Sequence, residues 1–144
     1  MFRIPSEERF SFALDGCLVE GKYDRVDRHK GLVTIVDYKT TPVSTQTEAD
    51  KKAKDDEQLT LYALAHLELT GKLPDQVVLN FVEAGRSGVS SRTERQVNKN
   101  RDELVEVAQK IRDQRFEPEQ SPHECNPFAD CPGHRAPHRT EPYY

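Results

Sequence analysis

Asp24, Asp37 and Lys39 have the residue types and spacing of a hydrolytic site. Leu32–Tyr38 is β-branched and alternating, and reads as a strand. Side chains two apart share a strand face, so Val33, Ile35, Asp37 and Lys39 line one side, which begins apolar and ends charged. A carboxylate and an ammonium at the end of a buried strand are costly unless they pair or bind something. Asp24, on the preceding strand, can approach the same end. Two carboxylates and a lysine suit a hard divalent cation acting on a phosphodiester. A plain ion pair between Asp37 and Lys39 is the competing reading, because D-x-K is a common tripeptide. The context favours chemistry: G-x-x-D-R-V-D, a turn, then an apolar strand ending D-Y-K-T.

The elements that position these residues follow from pattern. Arg9–Leu14 alternates as a first strand, and Asp15–Gly16 is a hairpin turn. Leu18–Tyr23 returns as the second strand, ending near Asp24, and 27–31 is a polar turn into Leu32–Tyr38. The opening is thus a three-strand meander ending at Lys39. Glu7 and Glu8 read as a solvated strand entrance. Residues 40–56 contain few large apolar side chains and read as a loop running into a helix start, of the kind that lies over active sites. Its Lys51, Lys52 and Lys54 are the best basic cluster near the candidate site, and equally fit a solvated helix end. The helix then runs to Thr70, stopped by Gly71 and Pro74. Its second half is apolar nearly all round, which predicts burial on more than one side. Gln58 and Tyr62, four apart, share a face. They can touch a phosphate, orient Lys39, or form the polar rim of a core helix.

Gln76–Ala84 reads as a central strand, 85–88 as a turn, and Val89–Gln96 as an exposed return strand. Arg86, Arg92 and Arg95 suit either nucleic-acid backbone contact or charge protection of an edge. Asn98–Arg115 is an amphipathic helix whose stripe is Leu104, Ala108 and Ile111, with Val97 one heptad earlier.

GKYDRVDRHKGLVTIVDYKTT, with the Q-x-x-x-Y of Gln58 and Tyr62, resembles the active-site hairpin of the PD-(D/E)XK nuclease superfamily, most closely the RecB-like modules at the C-termini of UvrD-type helicases and related exonucleases. The resemblance extends from about Glu8 to Cys131. It implies that Asp24 and Asp37 bind Mg²⁺ or Mn²⁺, with the Tyr38 backbone carbonyl as a further ligand. It also implies that Lys39 assists the attacking water and that Gln58 and Tyr62 position the substrate. The implied function is metal-dependent DNA hydrolysis, as an exonuclease module of a repair or recombination helicase-nuclease. The implied partners are DNA and a UvrD-like helicase module in the same or another chain. The family's helical segment before the first strand, which supplies a further metal ligand, has no visible counterpart. That favours, as the alternative, a catalytically inactive nuclease-fold domain that binds DNA or a helicase.

Composition sets bounds. One domain of α/β class is expected, with a mixed central β-sheet of about five strands flanked by two main helices; the resemblance implies that this is a restriction-endonuclease-like core without its usual N-terminal helical part. Net charge is -4, so phosphate-binding charge must be local rather than global. No apolar run is long enough to span a bilayer and no signal peptide is visible, so a cytoplasmic protein without membrane contact is expected. The three cysteines do not form a secreted disulfide framework. The core is expected over residues 1–115, and 116–144 is a Cys/His/Pro-rich tail. Cys125 and Cys131, with His123 and His134, are a candidate second metal site for zinc. The resemblance also raises an iron–sulfur cluster at the C-terminal end, but only Cys125 and Cys131 match that region, short of the four cysteines it needs. A free cysteine pair in the tail carries more weight than either.

Overall fold

The computed structural model describes residues 7–114. Six strands and three helices follow in the order β1 (Glu8–Leu14), β2 (Cys17–Tyr23), β3 (Arg25–His29), β4 (Leu32–Lys39), α1 (Gln46–Asp55), α2 (Glu57–Thr70), β5 (Gln76–Phe81), β6 (Arg86–Ser90) and α3 (Glu94–Arg112). The expected five-strand sheet is instead a mixed four-stranded sheet, ordered β3-β4-β5-β6, and a separate β1-β2 hairpin. The chain breaks at Asp24, which lies between β2 and β3, so the meander is two hairpins rather than one run of three strands.

Turn chemistry sets both hairpins. Asp15 and Gly16 take φ 48° and 75°, and Lys30 and Gly31 take 49° and 81°, the left-handed pairs that a two-residue hairpin turn needs. The second turn is therefore shorter than the expected 27–31, and β3 continues through His29. Gly21 has a different role. A Cβ there would lie 2.5 Å from the ring of Phe10, its cross-strand partner, so the ring covers the bare backbone.

The strands β4 and β5 are parallel, and α1 with α2 forms the crossover between them. The expected loop over 40–56 is largely helix. Thr45 caps α1, its side chain accepting from the Glu48 amide, and Glu48 Oε2 accepts from the Ser44 amide. Gly88 explains how so polar a helix is held: a Cβ there would stand 2.0 Å from the Ala49 carbonyl oxygen. The helix α1 thus seats its two buried alanines, Ala49 and Ala53, against β6. Gln46 Nε2 donates to the Ser87 carbonyl at 2.7 Å, and Asp50 accepts from the Val89 amide at 3.1 Å.

Asp56 ends α1 in extended backbone and caps α2, its Oδ1 accepting from the Leu59 amide at 2.8 Å. Gly71, at φ 77°, closes α2 by donating its amide to the Leu67 carbonyl at 2.8 Å. Leu59, Ala63, Leu64 and Ala65 are fully buried, as the apolar run predicts, whereas Leu69 is exposed. Leu59 and Leu64 pack with Ile35, Val77, Phe81 and Val97 into one core. Burying each such side chain contributes roughly 1.5–3 kcal/mol. The helix α3 begins at Glu94, four residues before the expected start. Val97 and Ala108 are buried, but Ile111, expected on the same stripe, is exposed. Among the described residues, no helix is long and apolar enough to cross a membrane.

Candidate active site

The antiparallel register pairs Arg25 with Val36. One step further along the same register sets Asp24 opposite Asp37. Asp24 Oδ2 accepts from the Tyr38 amide at 3.0 Å, which fixes that carboxylate against β4. Asp37 is 3% exposed, an unusual burial for a carboxylate. The central strand β4 holds it, with Leu79 of β5 as its parallel partner.

Lys39 Nζ lies 2.8 Å from Asp37 Oδ2. The pair is close in distance but lacks the angles of a directed hydrogen bond, so that buried oxygen has a charged neighbour and no hydrogen bond. Burial pushes the Asp37 carboxyl above the usual carboxylate range; the Lys39 contact pulls it down and the Asp24 carboxylate pushes it up. For Lys39, burial acts to lower the ammonium. The close contact and charge of Asp37, with the fields of Asp56 and Asp24, outweigh it, so Lys39 sits above its ordinary value and is a cation at neutral pH.

Gln58 and Tyr62 join the same group. Lys39 Nζ donates to Gln58 Oε1 at 2.7 Å, and Gln58 Nε2 donates to the Tyr62 hydroxyl at 2.8 Å. Burial, with Asp37 nearby, pushes the Tyr62 phenol up to about 12, so it stays neutral. Its ring stands edge-on to Tyr23 at 5.3 Å and to Phe10 at 5.9 Å. The β1-β2 hairpin thereby holds the far end of a chain that runs from Tyr62 through Gln58 to Lys39.

The residues fit a divalent cation in one respect. Two carboxylates face each other, and one buried oxygen lacks a directed partner, so the pair calls for positive charge beyond Lys39. Among the described residues, no group of three or more His, Cys, Asp or Glu could hold a metal. His123, Cys125, Cys131 and His134 lie outside the described residues.

A cleft of about 540 Å³ opens beside Lys39, with Lys51 and Lys52 on its α1 side and Leu79 and Phe81 on the sheet side. Lys54, grouped with them by sequence, does not line it. Glu8 lies at the solvated strand entrance, where it forms a two-pronged pair with Arg28 at 2.7 and 2.9 Å.

Arg92 is a correction. Sequence reading offered it to a nucleic-acid backbone or an exposed edge, but it is 5% exposed. Its guanidinium donates to the carbonyls of Ala53 at 2.8 Å and Asp56 at 2.9 Å, and to Thr60 Oγ1 at 2.8 Å. It ties the break between α1 and α2, and so sets the angle at which α1 borders the cleft. Arg86 and Arg95 remain exposed.

The family model for the PD-(D/E)XK nuclease superfamily matches residues 2–136. No curated protein matches the chain, and no solved structure does.

Proposed function

This chain belongs to the PD-(D/E)XK nuclease superfamily, and we propose that it hydrolyses DNA phosphodiesters with a divalent metal at Asp24 and Asp37. Members of the superfamily generally use Mg²⁺ or Mn²⁺. Asp24, Asp37 and the Tyr38 carbonyl would hold that ion, which polarises the scissile phosphate and lowers the pKa of water when bound. The observation that carries the reading is the Asp37 carboxylate, buried with one oxygen lacking a directed hydrogen bond, between Asp24 and Lys39.

The chain's own groups divide the remaining work. Lys39 supplies a fixed positive charge at the exposed rim of the site, where charge builds on the phosphate oxygens. Gln58 is a positioning residue: its carbonyl oxygen holds the amine, and its own amide is held by Tyr62. The finer reading, an exonuclease module working with a UvrD-like helicase in repair or recombination, rests on the resemblance carried by the hairpin together with Gln58 and Tyr62.

A second reading has its own observation. Among the described residues, the metal ligand set stops at two carboxylates, which suits a domain that binds DNA or a helicase without cutting. Incubating end-labelled linear DNA with the chain in Mg²⁺, in Mn²⁺ and in EDTA separates the two. Metal-dependent products that disappear in Asp37→Ala support hydrolysis, and their ladder distinguishes stepwise from internal cutting. Binding without cleavage by the folded chain in either metal overturns hydrolysis and leaves the binding module.

A further inference from the structure

We infer that Lys51 and Lys52 are the phosphate-binding residues of this site, holding the sugar–phosphate backbone of one nucleic-acid strand in the cleft that begins at Lys39. The inference rests on the nucleic-acid reading above, and adds the groups that grip the strand away from the reacting atoms. Net charge is -4, so no general field draws a polyanion to the molecule. Any phosphate affinity must come from cations placed together, and phosphate contacts are what position a nucleic acid on a protein.

The cleft of about 540 Å³ brings three cations together: Lys39 from β4, and Lys51 and Lys52 from α1. It also contains Glu48, Asp55 and Asp56. Engagement decides which charges are available. Lys39 is committed to Asp37 and Gln58. Glu48 accepts from the Ser44 amide and Asp56 caps α2, so two of the three carboxylates serve helix ends. Lys51 and Lys52 are exposed. Lys51 has no ion-pair partner among the described residues, and Lys52 has only Glu48, at 4.0 Å, the outer limit of an ion pair. That contact is weak in water.

Rigidity separates these lysines from an ordinary solvated helix face. The helix α1 is fixed at its start by Gln46 on Ser87, along its length by Ala49 against Gly88, and at its end by Arg92. The backbone positions of Lys51 and Lys52 on so constrained an element keep a fixed relation to β4, so their ammonium groups sweep the same cleft that Lys39 borders. Lys54 lies on the same helix with the same charge but outside the cleft, and is the internal control.

The experiment is the salt dependence of binding. A short fluorescent single-stranded oligonucleotide is titrated with the full chain in EDTA, so that nothing is cut, over a range of salt. For single strands, each phosphate contact contributes a slope of about 0.7 in log K against log salt. The double variant K51Q/K52Q is expected to flatten the slope by about 1.4 and to weaken binding most at low salt. K54Q is expected to leave the slope unchanged. An unchanged slope in K51Q/K52Q, an equal loss in K54Q, or no binding by the parent chain overturns the assignment. Failure here is distinct from failure of the hydrolytic reading. Cleavage with an unaltered slope removes the lysines and leaves the nuclease; a flattened slope without any cleavage removes the nuclease and leaves the lysines.

Discussion

Gly88→Ala should unseat α1, and with it one wall of the cleft. The new methyl would stand 2.0 Å from the Ala49 carbonyl oxygen and 3.1 Å from the Ala53 methyl. Ordinary contact between such atoms is about 3.5 Å, so α1 must retreat by more than about 1 Å. That displacement breaks the 2.7 Å bond from Gln46 to the Ser87 carbonyl and the 3.1 Å bond from the Val89 amide to Asp50. Overpacking of this kind costs about 1–3 kcal/mol, and two partly exposed hydrogen bonds about 0.5–1.5 kcal/mol each. The expected loss is about 2–6 kcal/mol, read as a fall in the urea midpoint by circular dichroism at constant slope. A companion double variant sharpens the test. Ala53→Gly removes only the 3.1 Å contact, and nothing removes the Ala49 backbone oxygen, so Ala53→Gly should not restore Gly88→Ala. A Gly88→Ala chain within about 0.5 kcal/mol of its parent, or one rescued by Ala53→Gly, would refute the close seat of α1 on β6.

Three further outcomes follow from particular contacts. Gln58→Ala should slow metal-dependent cleavage by roughly 10–100-fold with little loss of stability, because it frees the Lys39 amine; an undiminished single-turnover rate argues against a positioning role. Arg92→Met should cost about 2–4 kcal/mol, since it strands the buried Ala53 carbonyl and the part-buried Asp56 carbonyl, while leaving the salt dependence of DNA binding unchanged; a loss of salt dependence would return Arg92 to the phosphate backbone. The Glu8–Arg28 pair gives a pH signature. Its hydrogen bond holds the Glu8 carboxyl below its unfolded value of 4.5, so its stabilisation is present above that value and vanishes as pH falls through the lower folded one. Both side chains are largely exposed, which limits the effect to under about 1 kcal/mol. Glu8→Gln should therefore be slightly less stable than the parent at neutral pH and equal to it below the folded pKa; a difference that persists in acid would show that packing, not charge, is responsible.

The site was legible in the sequence where local rules act over short distances. A strand's period of two put Asp37 and Lys39 on one face, and a helix spacing of four put Gln58 and Tyr62 on another. Asp-Gly marked the first hairpin, and a strand of alternating apolar residues marked β4. What stayed hidden depends on long-range fit. The helix α1 shows little hydrophobic pattern, since its buried face is two alanines against a glycine, and small-against-small packing leaves almost no apolar signal. One mark was present: Thr45 and Glu48 have the S/T-x-x-E spacing that opens helices. Arg92 was unreadable for a different reason. Its partners include main-chain carbonyls 36 and 39 residues away, within reach only because the chain turns between α1 and α2. The link between Lys39 and Gln58 crosses from β4 to α2, so spacing could suggest it but only packing could make it.

Asp24 and Asp37 together are proposed to form a divalent-cation site with Lys39 beside it. Calorimetric titration of Mn²⁺ into the parent chain, Asp24→Asn, Asp37→Asn and Lys39→Gln tests it most directly. Binding by the parent is expected, with its loss in both aspartate variants and binding at least as tight in Lys39→Gln, where a competing positive charge has been removed from Asp37. Mn²⁺ bound equally well by the parent and by Asp37→Asn would place the metal elsewhere and contradict it.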